Sequence, residues 1–243
     1  MSRIRDDIFV QRAYADGFRF DARVASVFDD MAERSIPFYR ATQRMAAALA
    51  AAFARPGTTV LDLGCSTATT LCRLADAIPD PSIRLVGMDR SPAMLELARK
   101  KLRRHGLARR VQLIEREIAP GIDVAGSSVV LMNWTLQFIP PRHRGPLLRS
   151  LCAGLDPRGC LVLCEKVAIA DPRISRLFIH SYHQFKRQSG YSDSEIEHKR
   201  RSLENTLIPL SAERNAALLR RSGFRRVETF FRWFNFVGIL AVK

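Results

Sequence analysis

Three observations predict an α/β fold built on a mostly parallel sheet. From residue 58 onward, apolar β-branched runs alternate with helix-like stretches. After residue 166 the alternation breaks, and a polar helical segment enters as a cap insert. Two strands then close the chain as an antiparallel hairpin. Such alternation gives parallel strands with helices on both faces of the sheet.

Taken in order, residues 23–54 read as two helices split near Ser35-Ile36-Pro37. Strands are expected at Thr59–Leu63, Ile83–Met88, Val111–Glu115, Ser128–Asn133 and Cys160–Glu165. Helices are expected between them at Leu71–Ile78, Pro92–His105 and Arg142–Leu155. Ser91-Pro92 starts a helix well, because serine caps free N–H groups and proline suits the first helical position. Residues 172–207 read as helical and rich in His, Tyr and Arg, with a break at Gly190. A helix over Ala212–Ser222 stops at Gly223, and strands Arg225–Trp233 and Phe236–Val242 follow. The insert is expected over the C-terminal ends of the strands, where such sheets bind ligands.

Composition narrows the class. The chain has 243 residues, 47% of them hydrophobic, as in a soluble globular protein. Its longest apolar run, Met45–Ala54, is Ala-rich and too short to span a bilayer, so no membrane partner is expected. MSRIRDDIF at the start lacks the apolar core of a signal peptide. The five cysteines, Cys65, Cys72, Cys152, Cys160 and Cys164, form no C-x-x-C pair, so neither zinc nor a disulfide framework is indicated. A reducing, cytoplasmic location is expected. The net charge of +15 raises nucleic acid or anionic metabolites as partners. Its densest block, Arg99 to Arg104, has no interleaved aromatics and reads as a solvated helix end.

The stretch TTVLDLGCSTATT, residues 58–70, carries the chemistry. Gly64 allows a sharp turn after the first strand and a close approach of backbone to ligand. Asp89 ends the second strand, 25 residues later, where an acid can accept from both ribose hydroxyls. Cys65-Ser66-Thr67-Ala68 supplies no second glycine, and no G-K-[ST] loop is present. A nucleoside without a pyrophosphate follows, which points to S-adenosylmethionine. One domain over 1–243 is expected, with N-terminal helices in 1–57, a nucleoside-binding core in 58–165, the cap insert in 166–209, and the closing helix and hairpin in 210–243.

The chain resembles class I S-adenosylmethionine-dependent enzymes, with their Rossmann-like methyltransferase fold, and within them the carboxy-S-adenosyl-L-methionine synthases. The matching stretches are FDARVASVFDDMAERSIPFY, VLDLGCS, DRSPAML, NWTLQFIPP, LCEK, FKRQSGYSDSEI, HKRRSLENT and FRWFNF. They run in order over nearly the whole chain, and the insert stretch is the most specific.

The resemblance implies a transferase that moves a carboxyl group from prephenate onto the methyl carbon of S-adenosylmethionine. The methyl of a sulfonium is weakly acidic, and its ylide can capture carbon dioxide released from prephenate. The product, carboxy-S-adenosyl-L-methionine, would serve a partner enzyme that modifies a wobble uridine in tRNA. Ligand residues carried over by motif are Tyr39, Gly64, Cys65, Ser66, Asp89, Arg90, Glu117, Ile118, Asn133 and Arg200. The added carboxylate needs a cation, and an arginine fork grips it bidentately. Arg200 is the candidate, with Tyr39 as a phenol donor. A homodimer is expected, so Arg200 would come from the same chain or from a partner's.

Three departures from the family pattern stand out. GCSTATT is shorter and lacks the later glycine, Glu117 follows Arg116 where Asp follows Gly, and Arg90 replaces a common Asn. The first would shift the methionine end, and the others would alter the adenosine fit.

Other readings stay open. Asn133 is not followed by a Pro-Pro-aromatic stretch, and a Pro-Cys pair is absent, which argues against a nucleic-acid base methylase. Asn133 could also simply cap a turn. His180 and His183 have a ligand-like spacing without a third partner, and Lys199-Arg200-Arg201 could be a solvated helix face. The alternatives are a small-molecule methyltransferase and a basic RNA-binding module without catalysis.

Overall fold

The computed structural model describes residues 5–10 and 18–243. The reading of MSRIRDDIF therefore falls partly, at Met1 to Ile4, outside the described residues. Seven strands form one mixed sheet in the order β3-β2-β1-β4-β5-β7-β6. They are β1 Thr59–Leu63, β2 Arg84–Asp89, β3 Val111–Glu115, β4 Ser127–Asn133, β5 Leu155–Lys166, β6 Arg226–Trp233 and β7 Phe236–Val242. Strands β1 to β5 pair in parallel, and β7 is antiparallel to both of its neighbours.

The strand period of two divides the core into two layers. Leu61, Leu63, Val130, Met132, Leu161 and Leu163 point into one. It is closed by α5 (Pro141–Gly154) and α8 (Ala212–Arg221). Val60, Leu85, Val129, Leu131 and Val162 point into the other. Helices α2 (Tyr39–Phe53), α3 (Thr69–Ala77) and α4 (Pro92–Arg104) close that side. A central strand buried on both faces has no polar alternation to show, and β1 is buried throughout.

The remaining helices stand over the C-terminal ends of the strands. They are α1 (Ala22–Ser35) with α6 (Pro172–Gln188) and α7 (Asp193–Ser202) of the insert. Ser192 and Glu195 form a reciprocal capping box that starts α7 just after the Gly190 break. Among the described residues no helix is long and apolar enough to cross a membrane.

Two element starts differ from the sequence reading by two residues or more. β5 begins at Leu155, not Cys160. Ser127 of β4 faces Leu155, yet Val129 faces Cys160, so residues 156–159 bulge out of the ladder. Pro157 and Gly159 lie in that bulge, where a proline has no ladder hydrogen bond to lose. Helix α3 starts at Thr69, two residues early, because Ala68 already holds a left-handed cap with φ 67°.

One buried cation fixes the route from β4 to the insert. Arg144 of α5 is 1% exposed. Its guanidinium donates to the carbonyls of Ile139 (2.8 Å), Gln137 (3.1 Å) and Ile208 (2.7 Å). The turn after β4 is thereby tied to the segment that leaves the insert. Replacing Arg144 with Met removes a donor from three carbonyls, of which that of Gln137 keeps the Ile208 N–H. A loss of about 3–5 kcal/mol is expected, as for a broken buried ionic network. Urea denaturation checks this, with a lower midpoint expected at an unchanged m-value.

Candidate functional site

The site begins where β1 and β4 part. Gly64 turns at φ +80°, and a Cβ there would meet Thr135 Oγ1 at 2.4 Å. Its N–H donates to the Met88 carbonyl at 2.8 Å, and that of Cys65 to the same oxygen at 3.1 Å. The missing later glycine does not undo the corner. Ser66 (φ 47°) and Ala68 (φ 67°) adopt the left-handed backbone themselves. L-residues do so at roughly 1–2 kcal/mol each. Thr67 and Lys101 hold the loop: Thr67 Oγ1 donates to Asp29 at 2.5 Å, and Lys101 Nζ reaches Thr67, Thr69 and Asp29. Lys101, from the basic block, thus turns toward the corner instead of lying free in solvent.

Two carboxylates flank this turn. Asp89 Oδ2 accepts from the Ser66 N–H and Oδ1 from the Ser91 N–H, both at 2.9 Å. Each oxygen keeps one lone pair for a ligand. Burial raises the Asp89 pKa, and the two N–H donors oppose that rise. Asp62, two residues before Gly64, is 1% exposed, and neither of its oxygens has a hydrogen-bond partner. Desolvation, followed by the nearby Asp89 charge, pushes its pKa up to about 7. Asn133 Oδ1 and Trp134 Nε1 are also buried without partners. Buried unpaired groups are few in folded proteins, and of these residues Asn133 and Trp134 line the cavity, where a polar ligand can complete them, whereas Asp62 does not line it.

A cavity of about 800 Å³ opens there. All ten residues expected to bind ligand line it: Tyr39, Gly64, Cys65, Ser66, Asp89, Arg90, Glu117, Ile118, Asn133 and Arg200. Tyr39 is the first residue of α2, and its ring centre lies 5.3 Å from that of Trp134. Both rings are aimed by left-handed backbone, at Phe38 (φ 56°) before Tyr39 and at Trp134 itself (φ 56°). Bulky residues seldom hold such angles, and strain of this kind gathers at ligand sites. Burial raises the Tyr39 phenol well above its ordinary pKa, so it stays a donor.

The two departures at the nucleoside end meet each other. Arg90 and Glu117 lie 3.6 Å apart as a largely exposed ion pair on the rim. Arg200 lies on the insert side. Its Nε and Nη2 donate to the two oxygens of Glu197, both at 2.8 Å. Glu197, also bonded to Arg201, has its pKa drawn down to about 2 by these guanidinium contacts. The Nη1 edge of Arg200 remains available to a ligand.

Sequence reasoning missed Lys166, Tyr182, Lys186 and Trp134, which also line the cavity. A signal existed for two of them. Lys186 falls on the stripe of Phe178 and Tyr182 in α6, a charge on an otherwise aromatic face, and Lys166 ends an apolar strand. His183 lines the cavity, whereas His180 is exposed. Among the described residues no group of three His, Cys, Asp or Glu could hold a metal.

Comparison with known proteins matches this geometry. A family model described as a methyltransferase domain matches residues 60–159. A carboxy-S-adenosyl-L-methionine synthase from Methylococcus capsulatus is 45% identical over 240 residues, covering 98% of this chain and 99% of that one. One from Wolinella succinogenes is 42% identical over 241 residues, covering 99% of each. Among solved structures, a putative S-adenosyl-L-methionine-dependent methyltransferase from Methanococcus maripaludis superposes with a TM-score of 0.63 at 17% identity. It covers 93% of this chain and 94% of that one. An O-methyltransferase family protein from Burkholderia thailandensis gives 0.65 at 19% identity, over 92% of this chain and 60% of that one. At these identities the structural likeness is one of fold.

The orphaned Asp62 predicts a pH signature in the ligand-free protein. Its folded pKa of about 7 lies above the ordinary aspartate value of 3.8. Between those values the folded state holds the extra proton, so stability falls as pH rises from about 4 to about 7. The size is on the order of 4 kcal/mol at most. In Asp62→Asn this part of the slope is expected to disappear, as read by urea midpoints across that pH range. An unchanged slope would place the titrating group elsewhere.

Proposed function

The chain belongs to the carboxy-S-adenosyl-L-methionine synthase family, and from that premise we propose that it converts S-adenosylmethionine and prephenate into carboxy-S-adenosylmethionine. The product would serve a partner enzyme in wobble-uridine modification of tRNA. One observation carries the reading: a single cavity joins a nucleoside corner to a cationic wall supplied by the insert. A methyltransferase with a neutral acceptor has no use for that wall, and a cation near the sulfonium would oppose its charge.

Bound S-adenosylmethionine would supply a sulfonium methyl as the carboxyl acceptor. The chain's own groups fit it. Gly64 and the turned backbone after it leave room for the nucleoside to approach. The spare lone pairs of Asp89 face the place for ribose hydroxyls, with Glu117 and Ile118 beyond. Asp62 sets an unpaired carboxylate near the cationic end of the ligand. Tyr39 and Arg200 then hold the added carboxylate, Arg200 with the Nη1 edge that Glu197 leaves free. The insert helices, with α1, shield the reacting carbons from water. We also assign a cytoplasmic homodimer. Its support is the set of exposed side chains Ile174, Leu177 and Ile179 on α6 and the free thiols throughout the chain.

The protein incubated with S-adenosylmethionine and prephenate is expected to yield a nucleoside heavier by one carboxyl group in mass spectrometry. Unmodified S-adenosylmethionine alone, or its homocysteine product, would instead support the methyltransferase reading. A steep salt dependence of RNA binding without turnover would support the RNA-binding one. Arg200→Ala should weaken the carboxylated nucleoside roughly tenfold or more, in line with about 1.5–3 kcal/mol for a charge-assisted bond. It should leave plain S-adenosylmethionine nearly unchanged, and Arg200→Lys should restore only part. Titration of both ligands reads this. Equal losses would make Arg200 structural.

Asp89→Ala removes the acceptor of the ribose bonds and also frees the Ser66 and Ser91 N–H groups. At least a tenfold loss of nucleoside affinity is expected, with the far-UV circular dichroism retained. Unchanged affinity in calorimetry would put the ribose elsewhere.

A further inference from the structure

Two lysines on the cavity wall make no direct ion pair among the described residues. Lys166 ends β5, and Lys186 lies in the last turn of α6. Their ammonium nitrogens each sit 4.8 Å from the centre of the Tyr182 ring. Lys186 is 5% exposed and Tyr182 is 8% exposed. The third buried lysine of this wall is different. Lys199 Nζ reaches Asp6 (3.4 Å), Ser35 Oγ (2.7 Å) and the Tyr191 hydroxyl (3.2 Å). Neither Lys166 nor Lys186 has an ion pair or hydrogen bond from its ammonium among the described residues; beside the ring, Lys186 has the charge of Asp6, which is already paired with Lys199.

That arrangement is unfavourable as it stands. Two like charges share one ring in a place from which much water is excluded. Burial lowers the Lys166 pKa to about 8. The Lys186 pKa is also lowered well below its ordinary value, first by desolvation and then by the charges of Lys199 and Lys166, against the opposing charge of Asp6. A cation–π contact offsets only part of a desolvation penalty. A bound anion would remove the conflict.

The position separates this place from the nucleoside corner. Asp89 ends β2 and Lys166 ends β5, three strands away in the order β2-β1-β4-β5. Three strand spacings make roughly 14 Å, so the two ends of one cavity can hold two molecules side by side. The wall between the lysines is aromatic: Phe236 stands 5.1 Å from Tyr182, centre to centre, and also lines the cavity. A flexible phosphodiester chain would favour the exposed basic helix ends, whereas an enclosed aromatic recess suits a compact molecule with an apolar body.

We propose that Lys166 and Lys186, set around Tyr182, form a dianion subsite for a small dicarboxylate whose apolar ring lies against Tyr182 and Phe236. The proposal rests on the reading of the protein as a synthase that uses prephenate, itself a ring with two carboxylates, and it assigns the residues that seat this donor. Lysine suits the task because two separate point charges meet two separate carboxylates, while a guanidinium fork would commit both contacts to one. The two lysines are positioned to bind the donor; the acceptor's added carboxylate belongs to Arg200.

Calorimetry on the full chain saturated with S-adenosylmethionine tests the subsite whether or not turnover occurs. The probes are 1-(carboxymethyl)cyclohexane-1-carboxylate, cyclohexanecarboxylate and inorganic phosphate. The dicarboxylate is expected to bind at least tenfold more tightly than the monocarboxylate, and phosphate more weakly than either. Lys186→Met, close in volume, should abolish that discrimination and raise the KM for prephenate at least tenfold, with S-adenosylmethionine affinity within twofold of wild type. Lys166→Gln should act likewise, and Lys186→Arg should recover part of the loss. Equal binding of the two cyclohexane acids to wild type would overturn the proposal, as would tighter phosphate binding. So would an unchanged prephenate KM in both lysine variants while the carboxylated product still forms. Absence of any carboxylated product from wild type would instead overturn the synthase reading, and the binding comparison would still stand.

Discussion

The contact on which this structure depends is the one that leaves no room for a side chain between Gly64 and Thr135. Strands β1 and β4 lie side by side, and their chains must leave the sheet in different directions. Gly64 takes the first chain away at positive φ, and its N–H is fixed to the Met88 carbonyl. Thr135 follows the left-handed Trp134, whose N–H donates to the Cys164 carbonyl at 2.6 Å. The crevice between the two exits is thus held from both neighbouring strands, β2 and β5. The nucleoside corner, Asn133, Trp134 and the orphaned Asp62 are all placed by that one divergence, as expected where the strand order of an open parallel sheet reverses.

How much of this was legible follows from which residues carry a local signal. The buried strands were legible because β-branched runs such as Thr59–Leu63 and Ser127–Asn133 admit few other readings. The start of β5 was not, because Pro157 and Gly159 look like a loop until a neighbouring ladder passes over them. The corner residues and Asp89 were legible from their spacing, and Tyr39 and Arg200 only from a resemblance. All ten meet in one cavity. The pairing of Arg90 with Glu117 was hidden, since two positions 27 residues apart betray no contact in a single sequence. Read singly they look like two disturbances of the adenosine end. Read together they keep a balanced charge on the rim, where an exposed pair adds little energy and preserves the local field.

The net charge of +15 says less about partners than its distribution does. Much of it lies on exposed helix ends, where cations favour a C-terminus. A smaller part is turned inward and structural: Lys101 braces the corner, and Arg144 satisfies three carbonyls. Around the cavity Asp89 lines the corner, with the buried Asp62 in the strand that leads to it, and Lys166, Lys186 and Arg200 line the β5 and insert side. A ligand with a cationic sulfur that gains a carboxylate matches such a polarised chamber better than a neutral molecule does.

Polarisation of this kind has a consequence for folding. A carboxylate without donors at Asp62 and an ammonium without a direct ion pair at Lys186 each destabilise the empty protein, because burial penalises the charged form of both. Moving either to the surface would relieve the fold and empty the site of its charge. The remaining structure therefore has to hold them in place by other means. Asp62 sits in a strand whose five residues are all buried, and Lys186 lies in the last turn of α6, just before the Gly190 break and the Ser192 cap. Ligands that complete these groups must then stabilise the folded chain by more than their surface contacts alone suggest, since binding to the native state also discharges a conflict built into it. The unpaired groups are the part of the sequence that local rules of folding would have rejected, and they mark the cavity as shaped for chemistry in preference to stability.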